Sequence, residues 1–539
     1  MSKNTKSFEI ATEKLGFVLI LSLITFGATT MVIFVYFCAM IGFFKKNIAK
    51  IWAKKHVAET QNFKKNGALL QEELLLQMVK TAEKTLFGLA HDFSEIQSVS
   101  DFQKKVPIAD YEDLKYYIEK IKRGERNILW PEKPAYFAKT SGTTSGTKYI
   151  PLTSEGMDYQ VKAAQSAIFH YIEQKNNADF VNGKMIFLQG SPELESQNGI
   201  KIGRLSGIVA HHIPKYLQKN RLPSYETNCI EDWETKVDKI IEETENQNMT
   251  LISGIPPWLI MYFEKLIDKK HQKIGKIFPN LQLIITGGVN YEPYREKMIE
   301  LIGRKIDIVQ TFPASEGFFA FQDDYEKEGL LLLTNHGIFY EFIPLELFGK
   351  TDAPRLTLKD VELNKDYAMI LTTNSGLWAY SIGDVVRFTD KNPYKILVSG
   401  RTKHFTSAFG EHVIAYEVEE AMKATVEQFP AQITEFHLAP QVTPENGELP
   451  YHEWLIEFDK APENIEIFRK CLDQELRKRN SYYDDLISGN ILQPLKITKL
   501  QKNTFTEYAK SQGKLGGQNK IPRLANDRNI ANYLENYKI

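Results

Sequence analysis

The chain contains little cysteine and has no excess of charge of either sign. Only three cysteines, Cys38, Cys229 and Cys471, occur among 539 residues, and they lie far apart. This spacing provides neither a disulfide framework nor a cysteine metal site, and it suits a reducing compartment. The formal net charge is −1, so there is no basic field to recruit nucleic acid. We therefore expect an ordinary globular protein that does not bind nucleic acid.

One long hydrophobic segment departs from this pattern. Residues 15–44 carry no charge, and about 20 apolar residues are enough to cross a bilayer. The segment therefore predicts a transmembrane helix, and lysines such as Lys45 and Lys46 place the following chain in the cytoplasm. A second interpretation stays open, in which the protein begins at Met40 and residues before it are not made. The expected location is a cytoplasmic catalytic body, with or without membrane attachment through residues 15–44.

The remaining sequence alternates helical and strand patterns, which is typical of an α/β fold. Apolar spacing predicts helices over residues 47–95, 110–123, 231–245, 256–268 and 416–426. Short apolar runs predict buried strands over residues 185–188, 281–285, 367–371, 433–439 and 452–458. We expect a large domain of mixed sheets with flanking helices over residues 47–399 and a small mobile α+β domain over 400–539. Residues 1–46 are then the anchor or an over-extended start.

Residues 140–148, TSGTTSGTK, form the most informative stretch. Six hydroxyl side chains, two glycines and a lysine cannot bury apolar area, but they suit a loop that binds phosphate. The G-x-x-x-x-G-K-[ST] spacing of a Walker A loop is absent, so the phosphate chemistry belongs to another class.

Four further polar stretches follow along the chain, most of them directly after a predicted strand or an apolar run. Residues 286–289 follow the predicted strand at 281–285, and residues 310–317 follow the apolar run 306–309. Residues 380–384 come after Leu377 and Trp378, and residues 400–403 open the last domain. Each alone is explained by a turn or a helix cap. Their common order and spacing indicate one nucleotide site.

These stretches together resemble the GH3 family of acyl-acid amido synthetases, within the superfamily of adenylate-forming enzymes. Residues 140–148 resemble the family's S-S-G-T-[ST]-…-K motif, residues 312–316 its Y-x-[AS]-S-E motif and residues 380–384 its Y-R-x-G-D motif. The ending QNKIPR at 518–523 resembles Q-x-K-x-P-R. The resemblance covers the chain from about residue 47 to the C-terminus.

The sequence departs from the family pattern at several positions. Thr140 replaces the first serine, and the gap from Thr144 to Lys148 is one residue shorter than in plant members. Phe312 stands where the motif has tyrosine, and Ser381 stands where plant members have arginine. The two acidic motif residues are retained.

The resemblance implies a site and a set of ligands. ATP would be bound by Ser141, Gly142, Thr143, Thr144, Lys148, Gly287, Gly288, Phe312, Ser315, Tyr380, Asp384 and Arg401. Glu316 would ligate Mg²⁺, since magnesium takes one or two carboxylates besides phosphate oxygens and water. Lys520 would be the catalytic lysine of the small domain, with Lys403 and Lys514 as rivals, and Thr402-Lys403 would be the hinge. Trp258 and Tyr340 are candidates for the acyl pocket.

The implied reaction adenylates a carboxylic acid with ATP and transfers the acyl group to an amine, with an amino acid as the expected acceptor. Small-molecule acids and amino acids are then the partners, and we expect a monomer. Two other functions stay open at this point. One is an acid–thiol ligase that uses coenzyme A, and the other is a catalytically silent nucleotide-binding module.

Overall fold

The computed structural model describes most of the chain after residue 26. The described residues are 27–141, 147–213, 218–230, 232–288, 291, 294–402, 405–406, 409, 413–442, 444, 448–488, 492–512, 521–525 and 527–539. Within them, no helix is long and apolar enough to cross a membrane. Residues 15–26 of the predicted transmembrane segment lie outside the described part.

Helices of very different length flank the sheets. The α-helices of the described residues are, in chain order, α1 (Gly27–Ala82), α2 (Leu86–Ala90), α3 (Val99–Lys105), α4 (Tyr111–Lys122), α5 (Ser154–Lys175), α6 (Leu205–Ala210), α7 (Tyr225–Cys229), α8 (Trp233–Thr244), α9 (Pro256–Lys270), α10 (Ile274–Ile277), α11 (Arg295–Ile302), α12 (Ala415–Gln428), α13 (Ile465–Arg479), α14 (Ser481–Ser488), α15 (Thr504–Ser511) and α16 (Asn529–Leu534).

The strands group into a large sheet and three smaller ones. They are β1 (Tyr136–Ser141), β2 (Thr147–Leu152), β3 (Lys184–Phe187), β4 (Glu195–Gln197), β5 (Ile200–Gly203), β6 (Arg221–Leu222), β7 (Met249–Ser253), β8 (Leu283–Gly287), β9 (Asp307–Ala314), β10 (Gly317–Phe321), β11 (Leu330–Leu332), β12 (Ile338–Pro344), β13 (Asp366–Thr373), β14 (Tyr380–Lys391), β15 (Tyr394–Arg401), β16 (Phe405–Thr406), β17 (Val413–Ile414), β18 (Gln432–Gln441), β19 (Tyr451–Lys460) and β20 (Lys496–Leu500).

An 11-stranded sheet forms the centre of the large domain, in the order β12-β13-β14-β15-β11-β10-β9-β8-β7-β3-β6. The half that runs from β6 to β9 is parallel, and the half from β9 to β12 is antiparallel. Strands β3, β7 and β8 are covered on both faces, which explains their continuous apolar runs. Their carboxyl ends lie at one edge of the sheet, where ligands bind in open α/β folds.

Helices cover both faces of the parallel half. One face packs against α8, α9 and α11 through residues such as Trp258, Tyr262 and Ile284. The other face packs against α1 and α5 through residues such as Ala53, Tyr171 and Leu283. A separate four-stranded sheet, β2-β1-β5-β4, lies beside this body.

Helix α4 shows how the local sequence sets an element. Asp110 accepts hydrogen bonds from the first-turn amides, and the Asp113 carboxylate accepts one from the Asp110 amide, which completes a capping box. Leu114, Ile118 and Ile121 recur at three- and four-residue spacing and are buried. The sequence prediction of a helix at 110–123 is thereby confirmed.

Most predicted elements are found within a few residues of their predicted bounds. The confirmed helices are α4, α8, α9 and α12, and the confirmed strands are β3, β8, β13, β18 and β19. The predicted helix over 47–95 is wrong in its C-terminal part, because α1 ends at Ala82. Thr85 then caps the separate helix α2 by accepting from the Gly88 amide.

The chain beyond β15 forms its own small core. Strands β18, β19 and β20 make a three-stranded sheet, which α12 and α13 cover through residues such as Val418, Trp454 and Phe468. The α/β class with a large sheet body and a C-terminal domain is therefore as predicted. The numerical domain boundaries remain predictions.

Candidate active site

A cavity of about 1610 Å³ lies between the strand ends of the large sheet and the small domain. Its wall combines residues from every one of the polar stretches identified in the sequence, together with Ile521, Pro522 and Arg523 of the C-terminal motif. The fold therefore brings to one cavity stretches that are hundreds of residues apart in sequence.

The hydroxyl-rich stretch connects β1 and β2. Thr140 pairs with Lys148 across this antiparallel hairpin, and both residues line the cavity. The Lys148 ammonium lies 5.5 Å from the centre of the Tyr111 ring, and the Tyr111 hydroxyl accepts a hydrogen bond from the Tyr149 amide at 3.0 Å. Burial raises the pKa of Tyr111, so its hydroxyl stays protonated.

The predicted ATP ligands of this stretch are only partly described. Gly142, Thr143 and Thr144 lie outside the described residues, as does the Ser141 side chain. Their roles as ATP ligands remain predictions. The base of the hairpin is described, and there Thr140 and Lys148 line the cavity.

Gly287 and Gly288 end strand β8 at the cavity wall. A Cβ on Gly287 would lie 2.5 Å from the Thr311 hydroxyl oxygen and 2.6 Å from the Thr311 carbonyl oxygen, so only glycine fits beside β9. Gly288 has φ +82°, a conformation that favours glycine. The local backbone therefore requires glycine at both positions, and both line the cavity.

The stretch at 310–317 is mostly strand rather than loop. Strand β9 continues to Ala314, which pairs with Gly317 of β10, so Ser315 and Glu316 form a two-residue hairpin turn. Phe312 is buried in the strand and packs on Phe319 at 5.0 Å between ring centres. The motif thus continues the strand that begins with the apolar run, and it brings Glu316 to the cavity.

Strand β14 begins with the third motif. Asp384 is only 8% exposed and lines the cavity with Tyr380. The Ser381 amide donates to the Ala109 carbonyl at 2.8 Å, which ties the motif to the chain just before α4. Asp384 pairs in register with Arg401 of β15, although the Arg401 side chain is outside the described part.

The start of the predicted hinge is fastened to the same strand. The Thr402 amide donates to the Gly383 carbonyl at 2.8 Å, and Thr402 is buried. Lys403 lies outside the described residues, as do Lys514 and Lys520. The structure therefore does not distinguish between the three candidate lysines.

The two candidates for the acyl pocket have different positions. Trp258, at the start of α9, lines the cavity. Tyr340 does not, because it lies in the core of the antiparallel half, where its hydroxyl donates to the Leu333 carbonyl at 3.3 Å. Its buried position does not fit a role in binding the acid.

Three further polar side chains at the cavity were not among the predicted site residues. Gln189 Nε2, Thr286 Oγ1 and Ser399 Oγ line it, are buried, and have no hydrogen-bond partner among the described residues. Buried polar atoms are normally paired, so these three are expected to meet a ligand or water. Gln189 and Thr286 come at the carboxyl ends of β3 and β8, which is the signal that could have identified them.

A metal site made by protein groups alone is not found in the part of the chain that the structure describes, where no three ligating side chains cluster. Magnesium bound with a nucleotide needs only one or two protein carboxylates, because phosphate oxygens and water complete its ligands. Glu316, which lies at the cavity, is suited to provide such a carboxylate.

The sequence matches the three domains of one family in order. The GH3 family N-terminal domain matches residues 56–224, the central domain residues 331–401 and the C-terminal domain residues 416–529. Indole-3-acetic acid-amido synthetase GH3.4 of Arabidopsis thaliana is 23% identical, over 85% of this chain and 89% of its own length. Jasmonoyl–L-amino acid synthetase JAR6 of Nicotiana attenuata is 22% identical, over 88% and 94%.

Solved structures share the fold at lower identity. AtGH3.15 acyl acid amido synthetase, in complex with 2,4-DB, has a TM-score of 0.73 at 17% identity, over 90% of this chain and 96% of that one. A 2-hydroxyisobutyryl-CoA ligase in its postadenylation state has a TM-score of 0.55 at 13% identity, over 90% and 91%. These likenesses extend over both domains.

Proposed function

The chain belongs to the GH3 family, and we propose on that premise that it is an ATP-dependent ligase. It adenylates a small carboxylic acid and then transfers the acyl group to the amine of an amino acid. The observation that carries this proposal is the meeting of Lys148, Glu316 and Asp384, from three distant motifs, at one cavity. The names of relatives as amido synthetases support the amine as acceptor.

The first step is displacement at phosphorus. The carboxylate oxygen of the acid bonds to the α-phosphorus of ATP, the bond to the β-phosphate bridging oxygen breaks, and pyrophosphate leaves with that electron pair. Such a step depends on positioning and on neutralising charge. Lys148 and the hydroxyl loop would hold the phosphates from the β1–β2 hairpin.

The two acidic residues have separate tasks. Asp384, buried at the start of β14, is suited to accept hydrogen bonds from two ribose hydroxyls. Glu316, at the two-residue turn, would hold magnesium, which offsets the charge of the triphosphate when it is bound. Gly287 and Gly288, at the end of β8, would lie beside the adenine.

The second step forms the amide. The amine nitrogen attacks the acyl carbon, the carbon–oxygen bond to AMP breaks, and the amine loses a proton as AMP leaves. A small-domain lysine, with Lys520 as our candidate, would serve one of the two steps. Trp258 would contact the acyl group from the start of α9.

Acid-dependent exchange of radioactive pyrophosphate into ATP tests the first step. We expect exchange with at least one acid in a broad panel, and its loss in Glu316→Gln with the fold intact. Glu326→Gln is a matched control, because Glu326 is an exposed carboxylate at the rim of the same cavity. Near-normal exchange in Glu316→Gln would refute the magnesium role.

The acceptor is tested separately. With the active acid, AMP release should depend on an added amino acid and should yield an amide detectable by mass spectrometry. Release that depends instead on coenzyme A would favour the acid–thiol ligase. A folded protein that binds ATP but exchanges with no acid would favour the silent module.

A further inference from the structure

Arg523, which ends the C-terminal motif, is an enclosed cation at the boundary between the two domains. Its Nε donates to Glu419 at 3.2 Å, its Nη1 contacts Glu435, and its Nη2 donates to the Tyr294 hydroxyl at 2.6 Å. Glu419 and Glu435 belong to the small domain, whereas Tyr294 directly precedes α11 of the large domain. One guanidinium therefore joins the two domains.

The bonding of Arg523 leaves it unsuited to bind phosphate. Each of its three nitrogens is engaged, and its positive charge faces two carboxylates. Its central carbon lies 4.5 Å from the centre of the Phe436 ring and 5.4 Å from that of Tyr294. Guanidinium groups held over aromatic faces gain attraction to the rings, which adds to the ion pairs. This arrangement is typical of a residue that fixes position.

The chain around Arg523 is fastened to the small-domain sheet. The Leu438 amide donates to the Arg523 carbonyl at 2.8 Å, and the Ala525 amide donates to the Leu438 carbonyl at 3.0 Å. The His437 ring donates to the Pro522 carbonyl at 2.7 Å. Residues 522–525 thus pair with the outer edge of β18, and Ile521 just before them lines the cavity. A movement of Arg523 therefore also moves this part of the cavity wall.

A second contact acts on the same helix. The ammonium of Lys297, in the first turn of α11, lies 2.7 Å from Asp459 of β19 and 3.0 Å from Glu264 of α9. Helix α11 is therefore held to the small-domain sheet at two points. The buried contact at Tyr294 is the better protected of the two, because Tyr294 is only 5% exposed.

We propose that Tyr294, Glu435 and Arg523 form a latch that holds the small domain in the orientation required for adenylation, with Arg523 as a positioning residue. This inference rests on the proposed function. Phosphorus reacts only in the first step, which depends on neutralising the charge of the triphosphate. In the latched orientation the segment that adjoins the candidate Lys520 forms part of the cavity wall. Opening of the latch frees the small domain for the amide-forming step.

Tyr294→Phe is the sharpest variant, because it removes the hydroxyl and keeps the ring. Tyr262→Phe is the matched control, since Tyr262 is a buried tyrosine of the same core whose hydroxyl bonds to Thr244 at 2.7 Å within the large domain. Loss of a hydrogen bond to a charged group predicts an exchange rate lowered about tenfold or more in Tyr294→Phe. The rate of transfer from supplied acyl-adenylate to the amino acid should stay within about threefold of the wild-type rate, because that step does not depend on this hydrogen bond.

Small-angle X-ray scattering of the ligand-free protein provides a readout without activity. We expect a larger radius of gyration for Tyr294→Phe and for Glu435→Gln than for wild type and Tyr262→Phe. An unchanged ratio of exchange to transfer in Tyr294→Phe, whether both rates fall or neither does, would overturn the proposal. Wild-type protein that shows no exchange would overturn the proposed function. In that case the latch is tested by scattering alone, and a radius of gyration unchanged in Tyr294→Phe and Glu435→Gln would reject it.

Discussion

Replacement of Gly287 by alanine is expected to damage adenylation by separating β8 from β9. The added methyl would lie 2.5 Å from the Thr311 hydroxyl oxygen, 2.6 Å from the Thr311 carbonyl oxygen and 3.1 Å from Pro313 Cδ, against ordinary contacts that begin at 3.4 Å. The hydroxyl can rotate, but the carbonyl is backbone. Residues Gly287 and Thr311 are paired in register, so β9 must move by most of an ångström.

The cost follows from two effects of that movement. Overpacking of this kind lowers the free energy of unfolding by about 1–3 kcal/mol. Strand β9 leads into the turn that carries Glu316, and a misplacement of about 1 Å can lower a rate on the order of 100-fold. We therefore expect the exchange rate to fall far more than the loss of stability would explain.

Urea unfolding and pyrophosphate exchange, measured side by side, check this expectation. Gly400→Ala is the control, because Gly400 also lines the cavity but its added Cβ would meet nothing nearer than the Ala415 nitrogen at 3.5 Å. Adding Thr311→Ala to Gly287→Ala removes the hydroxyl contact and leaves the carbonyl contact, so only partial recovery is expected. If Gly287→Ala behaves like Gly400→Ala in both assays, the steric argument is refuted.

Three other predictions concern buried charge. Burial lowers the pKa of His170 to about 4. Acidification from pH 6.5 to 4 should therefore lower the free energy of unfolding by about 3 kcal/mol. Urea unfolding at a series of pH values should show a much smaller loss in His170→Gln. Burial raises the pKa of Glu417 to about 7, so its contribution to stability is present below pH 4.5 and is lost as pH rises to 7; in Glu417→Gln this loss should vanish. Glu341→Ala leaves Arg355, its bidentate partner, without its buried carboxylate, and a loss of about 3–5 kcal/mol in denaturant unfolding is expected, whereas a loss under 1 kcal/mol would contradict it.

The sequence predicts the strands of the parallel half well because both of their faces are buried. Runs such as residues 283–285 are apolar throughout, and they end where Thr286 and Gly287 begin. The full length of β9 was not predicted, for the converse reason. Its last residues, Thr311 to Ala314, include polar and proline positions that face a cavity rather than a core, so the apolar pattern stops before the strand does.

Residues of the candidate site could be predicted where they belong to a sequence motif. They could not be predicted where their position depends only on how distant parts of the chain pack together. Glu316 and Asp384 were identified by spacing and resemblance, and both line the cavity. Tyr340 was chosen for its aromatic ring alone, and such rings are equally suited to a core, which is where it lies. The role of Arg523 depends on Tyr294, more than two hundred residues earlier, and no local pattern reveals such a contact.

The pairing of residues 522–525 with β18 has a consequence for biosynthesis. His437 and Pro522 are 85 residues apart in sequence, so β18 leaves the ribosome well before the segment that covers its outer edge. At about 5–20 residues per second, the nascent strand waits roughly 4–17 s with that edge unpaired. Exposed edges invite pairing with other chains. Residues 522–525 therefore act as an intramolecular shield against aggregation, and chains that terminate before residue 522 should accumulate in the insoluble fraction.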